Sequence, residues 1–549
     1  MNASARSSIP RPSQARCGAP RELAAAVAVA AALWATAMPA RGQPDDGARE
    51  AAAIEGQARP RPAVRWIGAA RAPELARCER RIAQFVAAVE AAGVADRQSA
   101  RVPGVPYLRA DRWLASHANE RLSAAAHRRW IDRLEALDAA AREHEARNLP
   151  PAERARLLAT FAADGDPEPA LAVVQRCRAA MRAADDAHPA LVAARAARVS
   201  VDDAYDDLAR LVGLYPLLRW PAMVGVRAWH DEARARLGAV AAAAPAASAA
   251  SAANRLRLAP ADAPAAAGEL VELFGEAVRS PLGELEFPPE VARRIAGVLA
   301  PVIEVAQAGP DDVAGTPVLD ADGRPAIDSQ SATVTWRLAH TRVDDRILPQ
   351  FVYTVWFPGR TASAPIDPLA GRLDAVVWRV TLDVDARVVM HDTMHACGCW
   401  HLFLPVPGVQ PRQGPDRWTE IALVPHAPAA AAAGERMQLL LEAGTHALQA
   451  VAAVPADGAA GRRYLLLDED RLRSLPQPGG GTRSFYDDAG LVPGSERLER
   501  LFLWPLGVRS AGSLRQWGSH ATAFVGRRHF DDARLLDERF VFPAPAPLR

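Results

Sequence analysis

The chain contains no lysine, so all 65 of its Lys+Arg positions are arginine. That absence excludes a lysine Schiff base, a pyridoxal phosphate linkage, a Walker A lysine and a Ser-x-x-Lys acylation site. Neither sign of charge is in excess: 65 basic and 64 acidic residues leave a net +1. Neutralising phosphates takes a basic surplus, so no nucleic-acid partner is expected. The sequence also lacks a Gly-x-Ser-x-Gly elbow, a Gly-x-Gly-x-x-Gly loop and a Cys-x-x-Cys-His haem motif. Serine-hydrolase and nicotinamide chemistry are therefore unsupported. Half of the residues are hydrophobic, and 549 residues allow several domains with large cores.

Long apolar runs are few. The first, Leu23 to Ala37, follows Arg6, Arg11, Arg16 and Arg21 and ends near the small-residue site Ala35-Thr36-Ala37. A basic start, a short apolar stretch and small residues form the pattern of a secretory signal. Residues 1–42 thus read as a signal peptide or an N-terminal anchor. The expected location is periplasmic or secreted, with membrane association at the inner membrane if the segment is retained. A second run, Leu208 to Val226, is interrupted by Arg210, Pro216, Arg219 and Pro221. It reads as a buried or interfacial helix pair rather than a span.

Cysteine is scarce, at five residues, and Cys17 precedes the signal's apolar stretch. Of the remaining four, Cys78 and Cys177 lie on apolar helix faces. Leu75, Cys78, Ile82, Phe85, Val86 and Val89 recur at spacings of three and four, as do Leu171, Val174, Cys177 and Met181. In an oxidising compartment a Cys78–Cys177 disulfide is expected, against two buried thiols as the alternative.

The organisation follows from composition and period. Residues 43–72 are a polar lead-in, and 73–238 carry the helical period. Residues 239–267 are rich in Ala and Pro and read as a linker. Residues 268–549 hold β-branched, aromatic runs such as Phe351 to Phe357, Val376 to Leu382 and Val388 to Leu404. The fold class is α+β and multidomain: a helical N-terminal domain, then a mainly antiparallel β-rich domain. Asp202, Asp203, Asp206 and Asp207 read as carboxylates favoured at a helix start rather than as a metal pocket.

The chemically loaded segment is Met390-His391-Asp392-Thr393-Met394-His395-Ala396-Cys397-Gly398-Cys399-Trp400-His401. Its five imidazole and thiol residues are all odd-numbered. In an extended strand they would share one face, with Met390, Met394, Trp400 and Leu402 on the other. A flat strand spreads His395 to His401 over roughly 20 Å, so a shared ion requires a bend at Gly398. With that bend, His395, Cys397, Cys399 and His401 would bind a transition metal, zinc favoured over copper. His391, His340 and His446 are further ligand candidates. His520 and His529 are candidates for acid–base roles in a metal-dependent enzyme. Three rival readings stand beside it. His391-x-x-x-His395 resembles a zinc-binding helix face. Cys397 and Cys399 form a local disulfide in a non-catalytic envelope protein that serves a structural or interaction role. Or the histidines simply pack in a core. The arginines and aromatics between Trp504 and Phe540 suit either an anionic ligand or pairing with Asp531, Asp532 and Glu538.

Tyr353 to Pro358, Trp378 to Leu382, His395 to His401 and Gly507 to Asp531 resemble a family of exported proteobacterial proteins with no assigned activity. The resemblance implies a cell-envelope location and offers no reaction.

Overall fold

A computed structural model of the chain describes residues 73–543, apart from 189–190, 192–193, 196, 251–253, 413–418 and 457–460. The signal segment, the lead-in and Cys17 lie outside the described residues.

The helical part comprises α1 (Pro73–Ala91), α2 (Ala124–Asn148), α3 (Pro151–Ala163) and α4 (Ala170–Asp186). On α1, Ile82, Phe85 and Val89 are buried, as their spacing requires. They pack with Trp130 and Leu134 of α2 and Val174 and Met181 of α4 in one core. Cys78 and Cys177 are joined by a disulfide across α1 and α4. Further on come α5 (Asp207–Val212) and α6 (Tyr215–Ala250). Asp206 caps α5, its Oδ1 accepting a hydrogen bond from the Ala209 amide at 3.0 Å.

Low complexity misleads at residues 239–267. Alanine is the strongest helix former, and α6 runs on through Ala250. Arg255–Pro260 then form a strand inside the main sheet.

That sheet has ten strands: β1 (Arg255–Pro260), β2 (Val302–Ala306), β3 (Thr333–Val343), β4 (Arg346–Arg360), β5 (Gly371–Leu382), β6 (Val388–His395), β7 (Leu402–Pro405), β8 (Glu435–Leu441), β9 (Leu448–Pro455) and β10 (Arg462–Asp468). Their spatial order is β7-β6-β5-β4-β3-β10-β1-β2-β8-β9. The expectation of a mainly antiparallel domain is corrected to a mixed sheet. β10 lies parallel to both β1 and β3, and β8 lies parallel to β2. The run from β3 to β7 is antiparallel throughout.

β4 and β5 are buried on both faces, which is why they read as near-continuous apolar runs. Trp378, Val380 and Phe351 face one core, while Val377, Trp356 and Met394 face another. The helix Pro289–Leu299, which begins on Pro288-Pro289, covers the first face. Tyr353 Oη donates to its Ala296 carbonyl at 2.7 Å. Arg436 of β8 donates to the carbonyls of Gly297, Val298 and Ala300. A guanidinium thereby satisfies the open carbonyls of the helix C-terminus.

Candidate functional site

The His/Cys segment is a hairpin. β6 carries Val388 through His395, the chain turns over residues 396–401, and β7 returns from Leu402. Gly398 makes the turn at φ +92°, a conformation that disfavours any L side chain. An added Cβ there would overlap the Ala521 carbonyl oxygen. Arg515 holds the turn from the other side, donating from Nε to the Cys397 carbonyl at 3.1 Å. The bend is where the sequence places it.

The donors nevertheless separate. Thr393 lies opposite Leu402 and His391 opposite Leu404, so odd residues face even ones across the hairpin. His391 and His395 share a face with Trp378 and Val376, their neighbourhood on β5. His401 has the parity of Phe403, which pairs with Asp392 on the opposite face. Met390 and Met394 point away from His391 and His395, as alternation requires, whereas Leu402 falls on the histidine side.

Each histidine already has an environment. His391 is buried, stacked on Trp378 at 4.9 Å and 19°, and burial pushes its pKa down to about 4. His401 places Nε2 2.8 Å from Asp392 Oδ2, and the same carboxylate holds Arg379 at 2.9 and 2.6 Å. Burial lowers His401 to about 4 despite that carboxylate. On the other face, His446 links Asp374 (Nδ1 to Oδ2, 2.8 Å) and Asp312 (Nε2 to Oδ1, 3.3 Å). His395 Nδ1 lies 3.5 Å from the second oxygen of Asp374. Burial opposes ionisation of Asp312, yet the His446 ring 3.3 Å away and hydrogen bonds from the amides of Ala308, Gly444 and Gly309 hold it at about 2. Burial would lower His446, but Asp312 and Asp374 raise it. The result is a buried carboxylate–imidazole chain, Asp312–His446–Asp374–His395, in which the two carboxylates raise His446 while burial lowers His395 despite Asp374.

The thiols of Cys397 and Cys399 sit together in the turn, partly exposed and unbonded in this structure. The Cys399 amide points to Cys397 Sγ at 3.4 Å. The contact with Cys397, and then burial, raise the Cys399 thiol well above its ordinary value.

These positions overturn the metal reading. Among the described residues, no three His, Cys, Asp or Glu side chains converge as an ion requires. His395 and His401 lie on opposite faces of the hairpin, and the imidazoles are stacked or engaged by carboxylates. The bend gathers the two sulfurs and disperses the rings. The further candidates do not join them. His340 lies 3.9 Å from Glu284 and against Trp113, and His446 belongs to the carboxylate chain. His520 is buried near Phe530, and burial followed by Arg515 lowers it to about 3. His529 packs on Tyr205 and reaches Asp203 at 2.9 Å. The arginines of the C-terminal stretch are largely structural: Arg528 pairs with Glu420 at 2.7 Å, and Arg527 pairs with Asp203 and Asp207.

Sequence reasoning passed over the carboxylates. Asp374 stands in the buried run Leu373-Asp374-Ala375-Val376, and a lone charge in such a run signals a buried partner. Asp392 stands inside the His/Cys segment itself. No family model, curated protein or solved structure matches this chain.

Proposed function

We propose that this chain is a non-catalytic structural or interaction protein of the cell envelope, in which Cys397 and Cys399 close into a local cystine that locks the hairpin turn. The observation that carries this reading is the placement of the two thiols on either side of the left-handed Gly398, with no third His, Cys, Asp or Glu converging on them among the described residues. In a flat strand, the Cα atoms of residues i and i+2 sit near the upper limit for bridging. A left-handed residue between them shortens the span. Each thiol loses a proton and, together, two electrons to a disulfide oxidant, which leaves as two thiols. The Cys78–Cys177 bridge is consistent with an extracytoplasmic location. The described helices include none long and apolar enough to cross a membrane.

The test is alkylation of protein purified from an oxidising compartment, mapped by peptide mass. Cys397 and Cys399 should resist alkylation until reduced, in one peptide carrying an internal bridge. Full alkylation of both without reductant would sink the cystine, and a stoichiometric turnover assay dependent on the thiols would sink the non-catalytic reading.

A further inference from the structure

The buried line Asp312–His446–Asp374–His395 ends at one ring nitrogen. Asp374 lies beside His395 Nδ1 and is itself engaged by His446. The opposite nitrogen, His395 Nε2, is buried and has no hydrogen-bond partner. Burial lowers the pKa of His395, so the ring is neutral near pH 7. The carboxylate draws its single proton to Nδ1, and Nε2 then presents a lone pair.

His395 lines a cleft where α6 meets the hairpin. Trp229 and Arg236, two turns apart on α6, line it with Trp400 of the turn, Val376 and Leu448. The two indoles lie 5.8 Å apart and are partly exposed, and Arg360 sits 5.1 Å over Trp400. Trp400 holds its place at φ +62°. Seven non-glycine residues among those described have a left-handed backbone, and three of them, Leu373, Trp400 and His446, lie in this group or next to Asp374. Backbone strain of this kind gathers at ligand clamps and active sites.

Charge and hydrogen bonding select the occupant. Arg236 is the one formal charge among the described residues lining the cleft, and its Nε is buried without a hydrogen-bond partner. The acids nearby on α6 do not line the cleft: Asp231 pairs with Arg234, and Glu232 is exposed. The Thr393 hydroxyl, also in the lining, donates to the Val377 carbonyl at 2.7 Å. One guanidinium, one lone pair and two flat indoles remain open. An anion suits the guanidinium, a hydroxyl proton suits Nε2, and a flat apolar face suits the indoles. The cleft is narrow, with room for a water-sized group such as a hydroxyl, so the rest of a ligand must lie over Trp229 and Trp400. We infer that the cleft binds a small hydroxylated organic acid with a flat apolar face, a sugar acid or a phenolic acid, through Arg236, His395 and the two indoles. This goes beyond the role proposed above and uses neither sulfur, so it stands or falls apart from the cystine.

The test is calorimetric titration of the full chain with glucuronate and with 4-hydroxybenzoate, which separate the two sources. At least one acid should bind saturably and change the tryptophan emission, and Trp229→Phe should lose part of that change. Arg236→Gln, with unchanged Tm, should bind the same acid about tenfold more weakly. Analogues lacking one group, glucose for glucuronate and benzoate or phenol for 4-hydroxybenzoate, should also bind about tenfold more weakly. Saturable binding of neither acid would overturn the inference. So would binding that Arg236→Gln leaves unchanged, because the acid would then lie at another site. An analogue without the carboxylate or the hydroxyl that binds as well as its parent would overturn the roles given to Arg236 and His395.

Discussion

His401 and Asp392 meet at 2.8 Å on the face of the hairpin opposite to His391 and His395, and Asp392 simultaneously takes both hydrogen bonds of a bidentate Arg379. All three groups are buried. Arg379 also lies 3.8 Å from the Phe530 ring centroid and donates to the Phe530 carbonyl at 2.6 Å. The carboxylate thus joins β5, β6, the turn and the C-terminal segment. Asp392→Asn keeps the shape and removes the charge, leaving a buried guanidinium without its counterion. The expected cost is about 3–5 kcal/mol, read as a fall in the urea midpoint at constant m-value. A loss below about 1 kcal/mol would show that the pair contributes little here.

The strands were legible because buried β-branched and aromatic runs have few other solutions. Thr333 to Leu338, Phe351 to Phe357 and Val376 to Leu382 all lie in the sheet. Strand direction was not legible, since alternation fixes which face a residue takes and says nothing about the neighbour it pairs with. The same limit undid the metal reading. A period-two argument holds only within one strand, and the turn after His395 reverses the relation between number and face. Gly398 marked the bend correctly, but the parity across the hairpin depends on loop length, which the donor pattern does not encode.

The pH dependence follows from histidines buried in their neutral form. Burial holds His391 and His401 at about 4 and, with help from Arg515, His520 at about 3. The unfolded chain takes up these protons below about pH 6.5. Stability is therefore full above that value and falls as pH drops toward 4, with about three protons from these residues alone. His446 works the other way: its raised value adds stability below about 6.5 that is lost as pH rises through its folded value. Three groups outweigh one, so denaturation at pH 7, 6 and 5 should show stability falling with acid. His391→Phe keeps a ring on Trp378 and deletes two nitrogens that lack partners. It should flatten the acid slope by about 1.4 kcal/mol per pH unit. An unchanged slope would mean that His391 titrates normally in the folded state.

The disulfide between Cys78 and Cys177 closes a stretch with a sequence separation of 99. It ties α1 to α4 inside a core where Cys177 is buried. A Cys78→Ala/Cys177→Ala variant should lose about 4–5 kcal/mol on the chain-entropy model. The loss should centre on the helical part, so amide exchange should rise in α1 and α4 more than in β4 and β5. A uniform rise across the sheet would argue that the two parts unfold as one unit.

Glu499 gives the opposite acid–base signature to the histidines. It is buried, and burial lifts its carboxyl to about 7 even though Arg360 and Arg497 pull the other way. The folded state therefore prefers the neutral acid, while the unfolded chain ionises near 4.5. Between those values the folded state binds the extra proton, so this group's contribution to stability declines as pH rises from 4.5 to 7 and is constant above. Glu499→Gln mimics the neutral acid. At pH 4.5 the variant and wild type should be equally stable, and at pH 8 the variant should be more stable by roughly 3 kcal/mol. Chemical denaturation at the two pH values measures the difference directly. A variant less stable at pH 8 would show that the carboxylate is ionised in the fold, with Arg360 and Arg497 as its counterions, and that pairing rather than burial controls this position.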